Sequence, residues 1–298
     1  MIFYRKALLT LVFALLFVGL VGGCGGGGGQ AGGGAGGNKQ LNIGYINWDE
    51  DVAVSNVAKI LLEEKLGYDV KLTLAEVGPL YSGVAGGDID AFLDVWLPNT
   101  HKTYWEQYQN QVVDLGRWYE GTASLGLGVP DYVEAQSIED LNKYRDEFGG
   151  QIIGIEPGAG IMRIAEDDAI PGYGLDYELV ASSTPAMISE LEKAMNNQQP
   201  IVFTAWKPHW MFTAYNIRYL EDPKGEMGTP EELSAITRTG LEQDAPEAFK
   251  FLDNISLTEE QLGDLELAIR DAGDPEQGAR DWLEKNRELA DSWLPGGS

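Results

Sequence analysis

The sequence predicts two α/β lobes, each a doubly wound sheet flanked by helices, followed by a helical return segment. Two observations carry this. From residue 41 to about 220, short apolar or alternating runs interchange with stretches of helical spacing, the order that builds parallel βαβ units. From about residue 235 onward helical patterns dominate, several of them opening near Thr-Pro, Ala-Pro or Asp-Pro. A third observation concerns function. Three strand-like runs, LNIGYINW, AFLDVW and IVFTAW, end on a tryptophan: Trp48, Trp96 and Trp206.

In the first series, residues 41–46 alternate and read as a strand. Residues 52–66 carry apolar side chains at helical spacing and stop at Gly67, a C-terminal cap glycine. Residues 69–77 alternate again, GPLYSGVAGGD holds a short helix closed by glycines, and IDAFLDVWLP is the next strand. The second series begins with SLGLGVP (124–130). It continues through a helix over 137–148 that opens on a Ser-x-x-Asp box, the strand-to-glycine run QIIGIEPGAG and a helix near GIMRIAEDDAI. The strand YELVASST, the helix PAMISELEKAMNN and the strands PIVFTAW and IRYLEDP complete it. TPEELSAI, APEAFKFLDN, TEEQLGDLELAIRDA and the last stretch read as helices. The chain is expected to cross between lobes at 119–124 and to return near 228–238.

The N-terminus adds a targeting layer. Arg5 and Lys6 precede an apolar run, Ala7–Val21, and Val-Gly-Gly-Cys follows, the form of a secretory signal peptide ending in a lipobox. The only cysteine, Cys24, stands where lipidation occurs, and a single cysteine excludes an intrachain disulfide. Residues 25–40 are Gly-rich and read as a flexible tether. The expected organisation is a signal peptide over 1–23, lipidated Cys24 and tether over 24–40, lobe one over 41–121, lobe two over 122–230, and 231–298 returning to lobe one. The folded part then works at the outer side of a membrane, on the periplasmic side or at the cell surface, held by the lipid alone.

With 44% hydrophobic and 23% charged residues, the chain is globular in composition. Its net charge of −26, deepened by two when Arg5 and Lys6 leave with the signal, argues against nucleic acid and against a basic membrane-binding patch. The acidity suits growth at high salt and suits an acidic mesophilic protein equally.

In open α/β sheets ligands bind beyond the carboxyl ends of the strands. Trp48 and Trp96 sit at such ends in one lobe and Trp206 in the other, so facing lobes would bring three indoles to one cleft. Aromatic faces on several sides suit a cation without hydrogens to donate, a quaternary ammonium, at roughly 0.5–2 kcal/mol per contact. Core packing is the alternative for each tryptophan taken singly, and the better reading of Trp105, Trp118, Trp282 and Trp293. In IEPGAGIMRIAE, glycines lead into a helix start, where the N–H groups of Gly160 and Ile161 are placed to bind a carboxylate; an ordinary turn has the same sequence. His101, five residues beyond Trp96, is positioned to donate to the same carboxylate.

The segments IGYINWDED, FLDVWLPNTHKTYW, GIEPGAGIM and TAWKPHWMF closely resemble the glycine betaine-binding proteins of ABC importers, over most of residues 41–290. The resemblance implies a periplasmic-binding-protein-like fold that closes on its ligand in the interlobe cleft. It implies a cage of Trp48, Trp96 and Trp206 around a trimethylammonium group, with the carboxylate held by Gly160, Ile161 and His101; His209 matches a family position without an implied contact. The partners it implies are glycine betaine or an analogue, an ABC permease and its ATPase, with no cofactor. Choline, carnitine, proline betaine and ectoine remain open as ligands.

An enzyme is not expected. There is no Gly-x-Ser-x-Gly elbow, no His-Glu-x-x-His pair and no free thiol beyond the lipobox cysteine. Two distant histidines do not suggest a metal site, and among 47 acids adjacent pairs such as Asp49 and Glu50 arise by chance.

Overall fold

A computed structural model describes residues 39–296; the signal segment, Cys24 and nearly all of the tether lie outside the described residues. In chain order the first sheet is built from β1 (Gln40–Tyr45), α1 (Asp49–Leu66), β2 (Asp69–Leu74), α2 (Val77–Gly86), β3 (Ala91–Leu97), α3 (Lys102–Tyr108) and β4 (Val112–Arg117). The second follows with β5 (Ser124–Pro130), a 3₁₀ turn over Ile138–Tyr144, β6 (Gln151–Ile153), α4 (Gly160–Ile164), a π-turn and α5 (Ile170–Tyr173). β7 (Glu178–Val180), α6 (Thr184–Asn196), β8 (Phe203–Lys207), α7 (Met211–Ala214) and β9 (Ile217–Tyr219) complete it. The chain then returns through β10 (Glu232–Arg238) to α8 (Leu241–Asp244), α9 (Pro246–Asn254), α10 (Glu259–Ala272), α11 (Pro275–Lys285) and α12 (Arg287–Ser292).

The strand orders are β2-β1-β3-β10-β4 and β7-β6-β8-β5-β9. Neither sheet is wholly parallel, contrary to the expectation from element order. β10 runs antiparallel to β3 and β4, and β5 antiparallel to β8 and β9. The two exceptions are the strands that have just crossed between lobes. A crossing chain enters at the cleft, where the parallel strands end, so its first strand must run away from it.

TPEELSAI also departs from its expected helix, since β10 occupies Glu232–Arg238. Thr-Pro and the spacing of Leu233 and Ile236 fit a helix start. The position between β3 and β4 leaves room only for a strand, and packing overrides the local pattern. The 137–148 helix is shorter than expected, a 3₁₀ turn in which Asp140 accepts the Ser137 N–H at 3.1 Å. α3 and β4 occupy a stretch to which the pattern assigned nothing.

Three acids, Asp49, Glu50 and Asp51, open α1, where the helix dipole favours negative charge, and Gly67 closes it with φ of 72°. α1 buries Ala53, Val54, Val57, Ala58, Ile60 and Leu61 and touches β1, β2, β3 and also α9, α10 and α11. The crossings are paired: Ala123 and Glu231 exchange backbone hydrogen bonds of 2.9 and 2.8 Å. No helix among the described residues is long and apolar enough to cross a membrane.

Candidate functional site

Trp48 is the N-cap residue of α1, three residues past β1; Trp96 lies near the end of β3 and Trp206 near the end of β8. The sheets point these ends at one another, and the three indoles meet around a small, narrow cavity. Leu125, Ile155 and Ile161 complete the apolar wall, Leu125 because it stands opposite Trp206 in the β5–β8 pair. Glu50 and Thr100 are the two polar side chains of the lining.

Each indole N–H is tied to a carboxylate, which fixes the ring. Trp96 Nε1 donates to Asp94 at 3.0 Å, Trp206 Nε1 to Glu50 at 3.1 Å and Trp48 Nε1 to Glu156 at 3.4 Å. The last two cross between lobes. Glu156 is itself held by the N-terminus of α6, accepting from the Thr184 N–H at 2.9 Å and hydroxyl at 3.1 Å.

Glu50, Asp51 and Asp94 are all fully buried. Burial pushes the Glu50 and Asp94 carboxyls well above the usual range and that of Asp51 up to about 7. Neighbouring acids reinforce the shift in Glu50 and Asp94, while the Trp206 and Trp96 N–H groups oppose it. Asp51 accepts from the Ile46 N–H at 2.8 Å and the Ser55 hydroxyl at 3.0 Å.

Ile161 lines the cavity and Gly160 starts α4, as the glycine-rich turn suggested. The N–H groups of Met162 and Arg163 fold back on the Ala159 carbonyl at 3.1 and 3.4 Å, and those of Gly160 and Ile161 precede them in the first turn, where a helix supplies no partner. Gly160 has a second reason to be glycine: a Cβ there would collide with the Thr100 carbonyl of the opposite lobe. His101 is buried behind the cavity and does not line it. Its ring stacks on Trp48 with centroids 5.8 Å apart. Its Nδ1 accepts the Trp96 N–H at 3.1 Å, which assigns the proton to Nε2, a buried atom without a partner. Burial pushes the imidazole down to about 3, so it stays neutral.

Around the cavity the lobes are tied again. Trp210 Nε1 donates to Asp49 at 2.6 Å, and His209 Nε2 lies 3.1 Å from the other Asp49 oxygen. Burial pushes the Asp49 carboxyl up, but His209 and the Trp210 N–H outweigh it and hold it below the usual range. Tyr104 donates to the Gly158 carbonyl at 3.3 Å and Arg163 to that of Asn99 at 3.3 Å.

The structure thus gathers Trp48, Trp96, Trp206 and Ile161 on one cavity, with Gly160 beside it and His101 one layer behind. Sequence reasoning missed Glu50, and the signal was present: three acids in the first helical turn directly after a strand-end tryptophan. Asp94, two residues before Trp96, is the same kind of signal.

Residues 39–285 match the family described as the substrate binding domain of ABC-type glycine betaine transport systems. The glycine betaine/carnitine transport binding protein GbuC of Listeria monocytogenes is 43% identical over 154 residues, 51% of either chain, so the aligned stretch spans about half the length of that curated relative. The solved structure of lactococcal OpuAC, closed and complexed with glycine betaine, is 39% identical with a TM-score of 0.80, covering 86% of this chain and 100% of that one. The glycine/betaine/L-proline-binding protein ProX of Borrelia burgdorferi is 35% identical with a TM-score of 0.81, covering 86% and 97%. By the extent of the family match, this chain belongs to the substrate-binding domains of ABC-type glycine betaine transport systems.

Proposed function

We propose that this protein captures glycine betaine outside the cytoplasm and delivers it to an ABC permease driven by an ATPase, serving osmoprotection and doing no chemistry of its own. The observation that carries this is the meeting of three indoles from two lobes around one small cavity. The trimethylammonium group sits among Trp48, Trp96 and Trp206, each contact contributing roughly 0.5–2 kcal/mol. The ligand carboxylate takes the N–H groups of Gly160 and Ile161, and the unpartnered Nε2–H of His101, which does not line the cavity here, becomes a third donor through a shift of the wall on binding. Closure assembles the cage, because the Trp48–Glu156 and Trp206–Glu50 bonds form only when the lobes meet. Lobe one comprises 41–121 with the return segment 231–298, and lobe two 122–230. Cleavage before Cys24 and lipidation there anchor the chain, and the Gly-rich run gives the lobes reach.

One observation favours a second reading. Glu50 is the only ionisable side chain of the cavity lining. Ionised, it would suit a cation that has no carboxylate, such as choline. Titration of the full chain with glycine betaine and with choline, followed by tryptophan fluorescence, separates the two. A saturable shift with glycine betaine and a much weaker one with choline supports the first reading, and the reverse order supports the second. Silence from folded protein with both would remove the cage.

A further inference from the structure

A larger cavity lies at the same junction of the lobes and is lined by Asp49, which Trp210 and His209 hold. It holds about 320 Å³. Asn47 and Asp49 at the start of α1 and Glu266 on α10 form one side; Ser189 and Glu192 on α6 form the other. Both lobes therefore contribute. Every charged residue of its lining is an acid. Asp49 keeps its charge through His209 and Trp210, and Glu192, exposed at the rim, accepts the Tyr215 hydroxyl. The nearby Arg270 is engaged elsewhere, with its guanidinium 5.0 Å above the Trp210 ring and 2.6 Å from Asp271.

Glu266 is the informative member. It is 2% exposed, and neither carboxyl oxygen makes a hydrogen bond of standard geometry, although the Trp210 backbone N–H lies close enough to oppose the rise in its pKa. Burial pushes its carboxyl well above the usual range, with the charges of Glu50 and Asp49 adding to the shift. A buried carboxyl so poorly paired is costly to leave so, and nothing in the betaine mechanism uses it. No cluster of three metal-ligating side chains exists among the described residues, which disfavours a dehydrated divalent ion.

The geometry points to this groove as a site for a monovalent cation, an alkali ion keeping part of its water or a small primary ammonium, held between Glu266 and Asp49 beneath a rim of Asn47, Ser189 and Glu192. A trimethylammonium group has no N–H to give Glu266, so the site is separate in chemistry from the tryptophan cavity. Because its walls come from both lobes, an occupant binds the closed arrangement better than the open one. By linkage it then tightens the binding of any ligand that also requires closure.

The test uses the full chain at constant ionic strength, replacing N-methylglucamine chloride by sodium, potassium or methylammonium chloride. Two quantities are read: the thermal midpoint without betaine, and the glycine betaine Kd. A favoured cation is expected to raise the midpoint and to tighten betaine binding by about fivefold. Glu266→Gln is expected to abolish both effects, and the surface change Glu192→Gln to reduce them without risk to the core. A response to sodium or potassium identifies an alkali ion; a response to methylammonium alone identifies an amine. The midpoint readout does not rest on the betaine reading, so a Glu266-dependent midpoint shift without betaine binding would keep this site and remove that reading. No difference among the cations, or the same difference in wild type and both variants, would overturn the proposal.

Discussion

At their junction the indole and imidazole ties run mostly one way, from the second lobe to acceptors on the first. Asp49 and Glu50 of α1 receive the indole N–H groups of Trp210 and Trp206, and Asp49 also lies against His209. Only Trp48, reaching Glu156, runs the other way among the indole ties. Within the first lobe Trp96 is held by its own neighbour, Asp94. The cage wall on β3 therefore exists before the lobes meet, whereas the orientations of Trp48 and Trp206 are completed by the opposite lobe. On the proposed function this arrangement joins recognition to closure, because the ligand would select the state in which all three rings are fixed.

The comparison can be broken first at its standing wall. Trp96→Ala should weaken glycine betaine binding at least about tenfold, on the order of 1.4 kcal/mol, by calorimetric titration. Unchanged affinity would make that wall dispensable and leave the cage to the closing pair. Closure itself is probed by Gly160→Ala, which drives a methyl group into the Thr100 carbonyl across the junction. Overpacking of this kind costs on the order of 1 kcal/mol or more. Affinity should fall about fivefold, with a larger radius of gyration by X-ray scattering at saturating betaine; a wild-type radius would show that the lobes absorb the methyl.

A smaller effect is expected at His101. Removing its one free donor by His101→Ala should narrow the preference for glycine betaine over choline about threefold, the scale of a single hydrogen bond. An unaltered ratio in parallel titrations would confine His101 to holding the Trp96 backbone. A separate effect concerns stability rather than binding. Asp51 is raised by burial from 3.8 to about 7, so between those values the folded state holds a proton that the unfolded chain has lost. Its contribution is thus most favourable at low pH and is lost as pH rises through that window. Asp51→Asn should flatten the decline of the urea midpoint between about pH 4 and pH 7; a slope identical to wild type would place the proton on another of the buried acids.

How much of this was legible depended on whether the cause was local. The strand-end tryptophans could be read because an apolar run that stops on an indole leaves its pattern in consecutive residues. The Gly160–Ile161 helix start could be read for the same reason, since glycines and the first helical turn are adjacent in the chain. The antiparallel entry of β5 and β10 could not, because direction in a sheet is set by where the chain comes from, and β10 even carries helix-like spacing. Glu50 was passed over because an acid next to Trp48 looks like solvated charge in so acidic a chain. Only the approach of Trp206, 156 residues away, buries it against an indole.

The paired crossings have a mechanical consequence. Two strands that pass between lobes side by side, bonded to each other at Ala123 and Glu231, form a ribbon rather than a swivel. A ribbon bends readily about one axis and resists shear and twist. The Glu231 side chain reaches from this ribbon to the N–H groups of Asn99 and Thr100, each at 2.9 Å, beside the cavity rim. The flexure is thereby fastened to the turn that carries Thr100. An opening stroke about this ribbon, as the proposed mechanism requires, would retrace nearly the same arc and bring Trp206 back to Glu50 without a rotational search.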